Sequence, residues 1–410
     1  MVDSIILKLD AMAHGGEAIG HHQGRAVFVP YAIPGERVRV EIVDDRGRYA
    51  RARLLEVLDP SPSRVTPPCP YFGPAACGGC QWQFMDYAVQ ARLKGLVVLD
   101  QFRRVGAFAE PPILEPLPDA TGWEYRNHAL FRTNAEGHLG FLSAHSHEVY
   151  PVDHCLILHP LLNGLLNSLD MVYPELEWME LRAGTATGDL MVVLQAVGEE
   201  SPALEVDFPL SIVQIRHDDA IAPLIGLDYI LEVIHGREFR ISATSFYQVN
   251  SAQAAPLVDV VMEALEPGDD QSVLDAYCGV GLFTAFLSAE AGHVTGIEAQ
   301  PAAVADARHN LAGMDNVTLL EGTVEALLPT VEPKLDAVVV DPPRTGLELA
   351  ALDALATHRP ARIVYVSCDP ATLARDARRL VRHGYTLEWV QPIDLFPQTY
   401  HIENVALLTC

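Results

Sequence analysis

The sequence predicts an α/β protein in three parts: a small β-barrel, an α+β middle domain, and a C-terminal, mostly parallel sheet with helices on both faces. Three observations carry this. Strand-like and helix-like segments alternate regularly from residue 272 to 410, the pattern of a doubly wound sheet. The first of those strands runs into a glycine turn, Cys278-Gly-Val-Gly281, as a ligand-binding crevice requires. Residues 1 to 57 hold short alternating strands cut by Gly, Pro and Asp turns, which read as a compact all-β unit.

The 410-residue chain has a formal charge of -26 and seven cysteines. No apolar run approaches the roughly 20 residues of a membrane span. Met1-Val-Asp-Ser4 lacks the basic flank of an export signal, so a cytoplasmic protein is expected. There, an odd number of clustered cysteines points to metal ligation or catalysis rather than disulfides. The acidity argues against a nucleic-acid partner unless a local basic surface exists, because phosphate binding relies on Lys and Arg.

In the first 57 residues, Ser4–Leu9, Ala26–Val29, Arg37–Val43 and Ala52–Val57 are the strand candidates. A five-stranded closed barrel hides the edges of so few strands. Basic residues gather between Arg37 and Arg53, and Arg46, Arg48, Arg51 and Arg53 flank a Gly turn. That spacing suits a hairpin gripping a phosphate backbone; it equally suits a solvated face. Gly15-Gly-Glu-Ala-Ile-Gly20 and Val27-Phe-Val-Pro-Tyr-Ala-Ile-Pro-Gly-Glu36 resemble the TRAM domain, an RNA-binding barrel appended to RNA-modifying enzymes.

After the Pro-rich linker Asp59-Pro-Ser-Pro-Ser63 come Cys69, Cys77 and Cys80, the last two in Cys-Gly-Gly-Cys, and then a distant Cys155. Four thiolates suit tetrahedral zinc or a 4Fe-4S cluster, and three clustered cysteines with one distant are commoner for iron-sulfur. Between Phe84 and Phe108 apolar residues recur at helical spacing. Trp123-Glu-Tyr-Arg-Asn-His128 opens a region of short strands, Ala129–Phe141, Met191–Val197, Ser211–Arg216 and Tyr229–Ile234. Arg126, Asn127 and His128 could contact substrate, but a satisfied structural cluster is the favoured reading.

In the C-terminal part, Ser272–Ala276, Val294–Glu298, Val317–Gly322, Leu335–Pro343 and Arg362–Ser367 are the predicted strands, with helices over Leu282–Ala291 and Pro301–Ala312. Glycines let backbone approach a ligand, and an acidic Glu298 closing the second strand can accept hydrogen bonds from two ribose hydroxyls. The third glycine of a dinucleotide fingerprint is replaced by Thr284, which disfavours a pyrophosphate and favours S-adenosylmethionine. Asp341-Pro-Pro-Arg344 ends the fourth strand, and the two prolines stiffen the corner around a fixed acceptor, Asp341. Cys368 ends the run Arg362-Ile-Val-Tyr-Val-Ser-Cys368, where a thiol at the carboxyl edge of a sheet is placed to act.

Asp275-Ala-Tyr-Cys-Gly-Val-Gly281, Gly296-Ile-Glu298, Asp341-Pro-Pro-Arg-Thr-Gly346, Ser367-Cys-Asp-Pro370, His401-Ile-Glu403 and the Phe-x-Gln-x-Asn segment Phe246–Asn250 together resemble the RNA uracil-C5 methyltransferase family. The motifs span almost the whole chain in that family's order. The resemblance implies a Rossmann-like class I S-adenosylmethionine methyltransferase domain with an N-terminal OB-like TRAM barrel and an α+β central domain. It divides the chain into 1–57 (barrel), 58–84 with 120–246 (central) and 85–119 with 247–410 (catalytic). It implies Cys368 as the nucleophile that adds to C6 of a uracil and Glu403 as the base that removes the C5 proton. Gln248, Tyr277, Glu298 and Asp341 are implied to hold the cofactor, and Cys69, Cys77, Cys80 and Cys155 a 4Fe-4S cluster. One departure is that seven residues separate Cys69 from Cys77, more than in better-known members. Barrel and cysteines together look more like the 23S rRNA branch than the tRNA branch, which typically lacks both. A monomer acting on RNA is implied, with a catalytically silent RNA-binding iron-sulfur protein as the rival reading.

Overall fold

The computed structural model describes residues 4–144, 146–169, 176–196, 198, 206–332 and 334–410; Val197, the end of one predicted strand, lies outside them. Strands β1 (Ser4–Met12), β2 (Ala18–His22), β3 (Arg25–Val29), β4 (Arg37–Asp45) and β5 (Tyr49–Asp59) close into a barrel in the order β1-β2-β3-β5-β4. β2 falls within the glycine-rich block that sequence pattern alone reads as turn. Alternate residues such as Leu7, Leu9, Val38 and Val40 fill the interior, as the period of two dictates.

The arginines that the sequence leaves as either a phosphate grip or a solvated face are mostly paired with carboxylates in the structure. Arg46 pairs with Asp44 at 2.8 Å, Arg51 with Glu17 at 2.6 Å, Arg53 with Glu41, Arg39 with Glu56 at 2.7 Å and Arg37 with Asp59 at 2.7 Å. The antiparallel pairing of β4 with β5 sets Asp59, Glu56 and Glu41 opposite Arg37, Arg39 and Arg53, so the hairpin is a mixed ion-pair surface. Among the described residues Arg48 makes no side-chain ion pair.

Helix α1 (Tyr87–Arg104) starts where the Asp86 side chain accepts from the Ala88 amide at 3.0 Å. It lies between two cores: Leu93 and Val97 join the barrel interior, and Val98 and Phe102 the core of the C-terminal sheet. The middle region holds β6 (His128–Thr133), β7 (Leu139–Leu142), β8 (Val149–Pro151), α2 (Pro160–Ser168), β9 (Leu176–Ala183), β10 (Leu190–Ala196), β11 (Ser211–Ile215) and β12 (Ile221–Ile225). These strands form one sheet, β12-β11-β10-β9-β6-β7-β8. A hairpin, β13 (Tyr229–Ile234) with β14 (Arg237–Ser242), leads through α3 (Ser251–Leu265) into the C-terminal part.

That part contains β15 (Ser272–Ala276), α4 (Leu282–Leu287), β16 (His293–Glu298), α5 (Pro301–Asn310), β17 (Val317–Glu321), α6 (Val324–Leu327), β18 (Ala337–Val340), α7 (Leu349–His358), β19 (Arg362–Ser367), α8 (Pro370–Arg382), β20 (Thr386–Ile393) and β21 (Glu403–Thr409). The sheet order is β17-β16-β15-β18-β19-β21-β20. Neighbours from β17 to β19 are parallel, and β21 and β20 are antiparallel additions. The chain order reverses between β15 and β18, which is where such sheets open a crevice at the carboxyl ends. The predicted strand Leu335–Pro343 is trimmed to four residues because Pro342 and Pro343 have no amide to continue the ladder. The helix expected to reach Ala291 stops at Leu287.

Candidate active site

Cys368 and Glu403 are brought together by strand register. In the antiparallel pair β19–β21, Ser367 stands opposite Asn404. One step further along the two chains lie Cys368 and Glu403, near enough for the Glu403 charge to act on the thiol. The Asn404 amide nitrogen donates to the Ser367 carbonyl at 3.1 Å and locks this register at its last rung. Beyond Cys368 the chain turns at once, because the Asp369 side chain accepts from the Ala371 and Thr372 amides at 2.9 and 2.8 Å and caps α8. The thiol is therefore held at a corner between strand and helix.

The surroundings are acidic. Burial raises the Glu403 carboxyl well above the usual range, and the neighbouring Asp341 adds to this. Asp341, just beyond β18, is pushed up to about 7 by burial and then by Asp275. Asp275, wholly buried in β15, is also pushed up to about 7, by burial first and with a contribution from Glu298. Burial, then Glu403, drives the Cys368 thiol up to about 11, while the charge of the exposed Arg344 opposes the rise. One thiol, two carboxyls and one guanidinium thus share a partly enclosed edge.

The cofactor candidates stand at the switch point. Glu298 accepts from the Gly279 amide at 3.0 Å with one oxygen and from the Ala299 and Gln300 amides at 2.7 and 2.8 Å with the other. It thereby fixes the glycine loop and itself at the end of β16. Gly281 has φ +87°, a left-handed conformation that favours glycine. Tyr277 takes φ +65° and its hydroxyl donates to Glu325 at 2.6 Å. Gln248 is buried; its carbonyl accepts from Asn127 at 2.8 Å, and among the described residues its side-chain amide has no hydrogen-bond partner. Thr284, in place of a third glycine, donates through its hydroxyl and its amide to Asp275 at 2.6 and 2.8 Å. The other Asp275 oxygen is buried without a partner among the described residues. Such an edge, with several carboxyls and an orphaned acceptor, fits a cationic, hydroxyl-rich nucleoside and repels a pyrophosphate. Cys278 is buried and its thiol is pushed well above its usual range, as befits packing.

Two residues were not singled out by the sequence reading. Phe246 is 70% exposed, an aromatic face two residues before Gln248 that presents a stacking surface. Arg344 is the cation nearest the nucleophile. Both lie inside quoted motifs, and that position was the available signal. Arg126, Asn127 and His128 are tied into the scaffold. Arg126 donates to the His128 carbonyl at 2.9 Å, and Asn127 also donates to Ser251 at 2.8 Å. Burial, Arg126 and Arg182 press His128 down to about 3.

Cys69, Cys77, Cys80 and Cys155 line a single cavity whose walls include Phe72, Phe141, Val152 and Leu158. Burial raises Cys77 to about 11 and also lifts Cys80 and Cys155, with the neighbouring thiols adding to each. Among the described residues no three His, Cys, Asp or Glu side chains converge on one ion. Four thiols lining one cavity are a donor set that suits either tetrahedral zinc or a polynuclear cluster.

Fold and crevice define a class: an S-adenosylmethionine-dependent methyltransferase carrying an RNA-binding barrel. Residues 207–410 match the family described as tRNA (Uracil-5-)-methyltransferase, and residues 5–55 match the TRAM domain. An RNA methyltransferase of Streptomyces avermitilis is 36% identical over 98% of this chain and 97% of its own. Another from Halalkalibacterium halodurans is 36% identical over 99% and 97%. The crystal structure of Pyrococcus abyssi tRNA (uracil-54, C5)-methyltransferase with S-adenosyl-L-homocysteine superposes with a TM-score of 0.80 and 26% identity, covering 99% of this chain and 100% of that one. The chain belongs to the RNA uracil-C5 methyltransferase family. It is an RNA methyltransferase that uses S-adenosylmethionine. No helix among the described residues is long and apolar enough to cross a membrane.

Proposed function

We propose that this enzyme methylates C5 of a uridine in 23S rRNA through a covalent bond between Cys368 and C6 of the ring. The observation that supports this reading is that β19 and β21 pair as far as Ser367 and Asn404, the residues next to Cys368 and Glu403, and that the Glu403 charge acts on the thiol. Uracil C5 is too weak a nucleophile to take a methyl unaided, and thiolate addition at C6 turns the ring into an enolate. S-adenosylmethionine supplies an electrophilic methyl. The adduct then needs a base to remove the C5 proton before the thiol can leave, and Glu403 has that role. Its raised affinity for protons makes it a stronger base than an exposed carboxylate. Arg344 favours the thiolate, and Phe246 stacks the target base. Gln248, Tyr277, Glu298 and Asp341 hold the cofactor.

The division into 1–57, 58–84 with 120–246, and 85–119 with 247–410 belongs to the same proposal. So does a 4Fe-4S cluster on Cys69, Cys77, Cys80 and Cys155, supported by their shared cavity; methyl transfer needs no electron, so its role is structural. The enzyme works in this reading as a cytoplasmic monomer. A tRNA uridine is the second reading, favoured by the full-length likeness to a protein named as a tRNA methyltransferase. The decisive experiment offers 5-fluorouridine RNA, which cannot lose its C5 substituent, to the wild type and to Cys368→Ala. A denaturant-stable complex is expected with wild type alone; no complex with wild type overturns the mechanism. Mapping 5-methyluridine in 23S rRNA and tRNA, with and without the gene, chooses the substrate.

A further inference from the structure

The loop Asp394–Ile402 joins β20 to β21 and delivers Glu403 to the crevice. Its base is closed by the pairing of Ile393 with Glu403. At its tip Gln398 is 2% exposed and has φ +67°, a conformation that non-glycine residues keep only when their surroundings impose it. Five hydrogen bonds impose it here. The Gln81 and Trp82 amides both donate to the Gln398 carbonyl at 3.0 Å. The Gln398 amide donates to Gln90 Oε1 at 3.0 Å, Gln90 Nε2 donates back to Gln398 Oε1 at 2.9 Å, and Gln398 Nε2 donates to the Gly122 carbonyl at 3.2 Å.

The rest of the loop is held from behind and within. Buried Lys94 pairs with Asp394 at 2.6 Å and donates to the Phe396 carbonyl at 3.0 Å. Thr399 Oγ1 donates to the Phe396 carbonyl at 2.7 Å and accepts from the His401 amide at 3.2 Å. Tyr400 closes over the barrel loop, where a Cβ on Gly16 would come within 2.8 Å of it. The loop is thus fixed both at its tip and at its base, and Glu403 stands at that base.

We propose that Gln398, clamped by Gln90, is a positioning residue for proton abstraction by Glu403. This rests on the reading of Glu403 as the base. In that step the Glu403 carboxylate takes the C5 proton, the C–H electrons form the C5=C6 double bond, and the C6–S bond breaks with its pair returning to Cys368 as thiolate. Thiol addition and methyl transfer precede the step, and Glu403 bears on them only through its charge, which disfavours the Cys368 thiolate. Loosening the clamp therefore slows release and leaves transfer intact. Gln81 and Trp82 follow Cys80 directly, so the wall of the cysteine cavity and the catalytic carboxylate share one anchor.

The test compares wild type, Gln90→Leu and Gln398→Gly; the second variant keeps the carbonyl and relaxes the backbone while losing the side-chain bonds. Single-turnover transfer of a tritiated methyl, the steady-state fraction of denaturant-stable RNA adduct, and KM for RNA are measured. Turnover is expected to fall about 10- to 100-fold, as for a catalytic group displaced by a fraction of an ångström. The adduct accumulates while the methyl-transfer burst and KM are maintained. A lower Tm with no rise in adduct, or transfer and release slowed together, overturns the clamp. If Gln90→Leu does not fold, Gln398→Gly decides. Failure of the wild type to trap 5-fluorouridine RNA refutes the covalent reading instead, so the two failures are separable.

Discussion

Cys368 at the sheet edge and the cysteines of the cavity stand in contrasting surroundings, and burial raises thiols in both. At the sheet edge the neighbours of Cys368 are groups that exchange protons: Glu403, Asp341 and Arg344. In the cavity the neighbours of Cys77, Cys80 and Cys155 are apolar walls, one another and Arg126. A lone thiol beside a base and a guanidinium can be turned on and off by the substrate it meets. Thiols packed against thiols are all driven toward the neutral form until a strong positive charge stabilises them together. Residue type is the same; what the neighbours can do with a proton separates nucleophile from ligand.

The largest effect expected on this contrast comes from the nucleophile itself. Cys368→Ala reduces methyl incorporation to background and forms no adduct, while retaining all the iron bound by wild type; surviving transfer breaks the distinction. Next, Glu403→Gln lowers turnover by about 10²- to 10⁴-fold, the usual worth of a positioned general base, with an RNA adduct visible on a denaturing gel.

On the ligand side, Cys80→Ser removes bound iron and lowers Tm in anaerobically purified protein, and a chelator does the same to wild type. Stoichiometric zinc in place of about four irons per chain, as a 4Fe-4S cluster holds, overturns the cluster. Arg344→Gln acts through the thiol. Without the guanidinium the Cys368 thiol rises above about 11, so less thiolate exists at neutral pH. Activity falls about tenfold at pH 7, one unit of thiol pKa, and the deficit narrows as pH rises toward the thiol's own value. A deficit independent of pH breaks that account. The smallest effect is at Arg48 on the barrel. Arg48→Ala weakens RNA binding uniformly and reduces the slope of log affinity against log salt by about one.

Much of the site was legible because strand ends carry distinctive punctuation. The glycine turn after Asp275, the acid closing Gly296-Ile-Glu298, the two prolines after Asp341 and the Cys-Asp-Pro corner each mark the carboxyl end of a strand. In the structure they all sit on one edge. The cavity brings Cys155 to Cys77 and Cys80 across most of the middle region, something a count of cysteines suggests but spacing does not compel. The ion pairs of the arginine hairpin were less legible. Glu17 lies just before β2 and Glu41 on β4, so Arg51 and Arg53 meet acids that the barrel's closure brings to them, whereas Arg46 pairs with Asp44 two residues away.

Local chemistry in the sequence by itself determined the parallel strands of the C-terminal sheet and which residues stand at their carboxyl ends. A period of two, a missing proline amide and a glycine's freedom all act within a few residues. Tertiary structure alone decided that β21 runs antiparallel to β19 with Ser367 opposite Asn404, that α1 wedges between barrel and sheet, and that Gln398 is bent into place by Gln81, Trp82 and Gln90. These are choices among distant partners, made by the burial and hydrogen-bonding of the whole. The distance between Cys368 and Glu403 is the outcome of that choice.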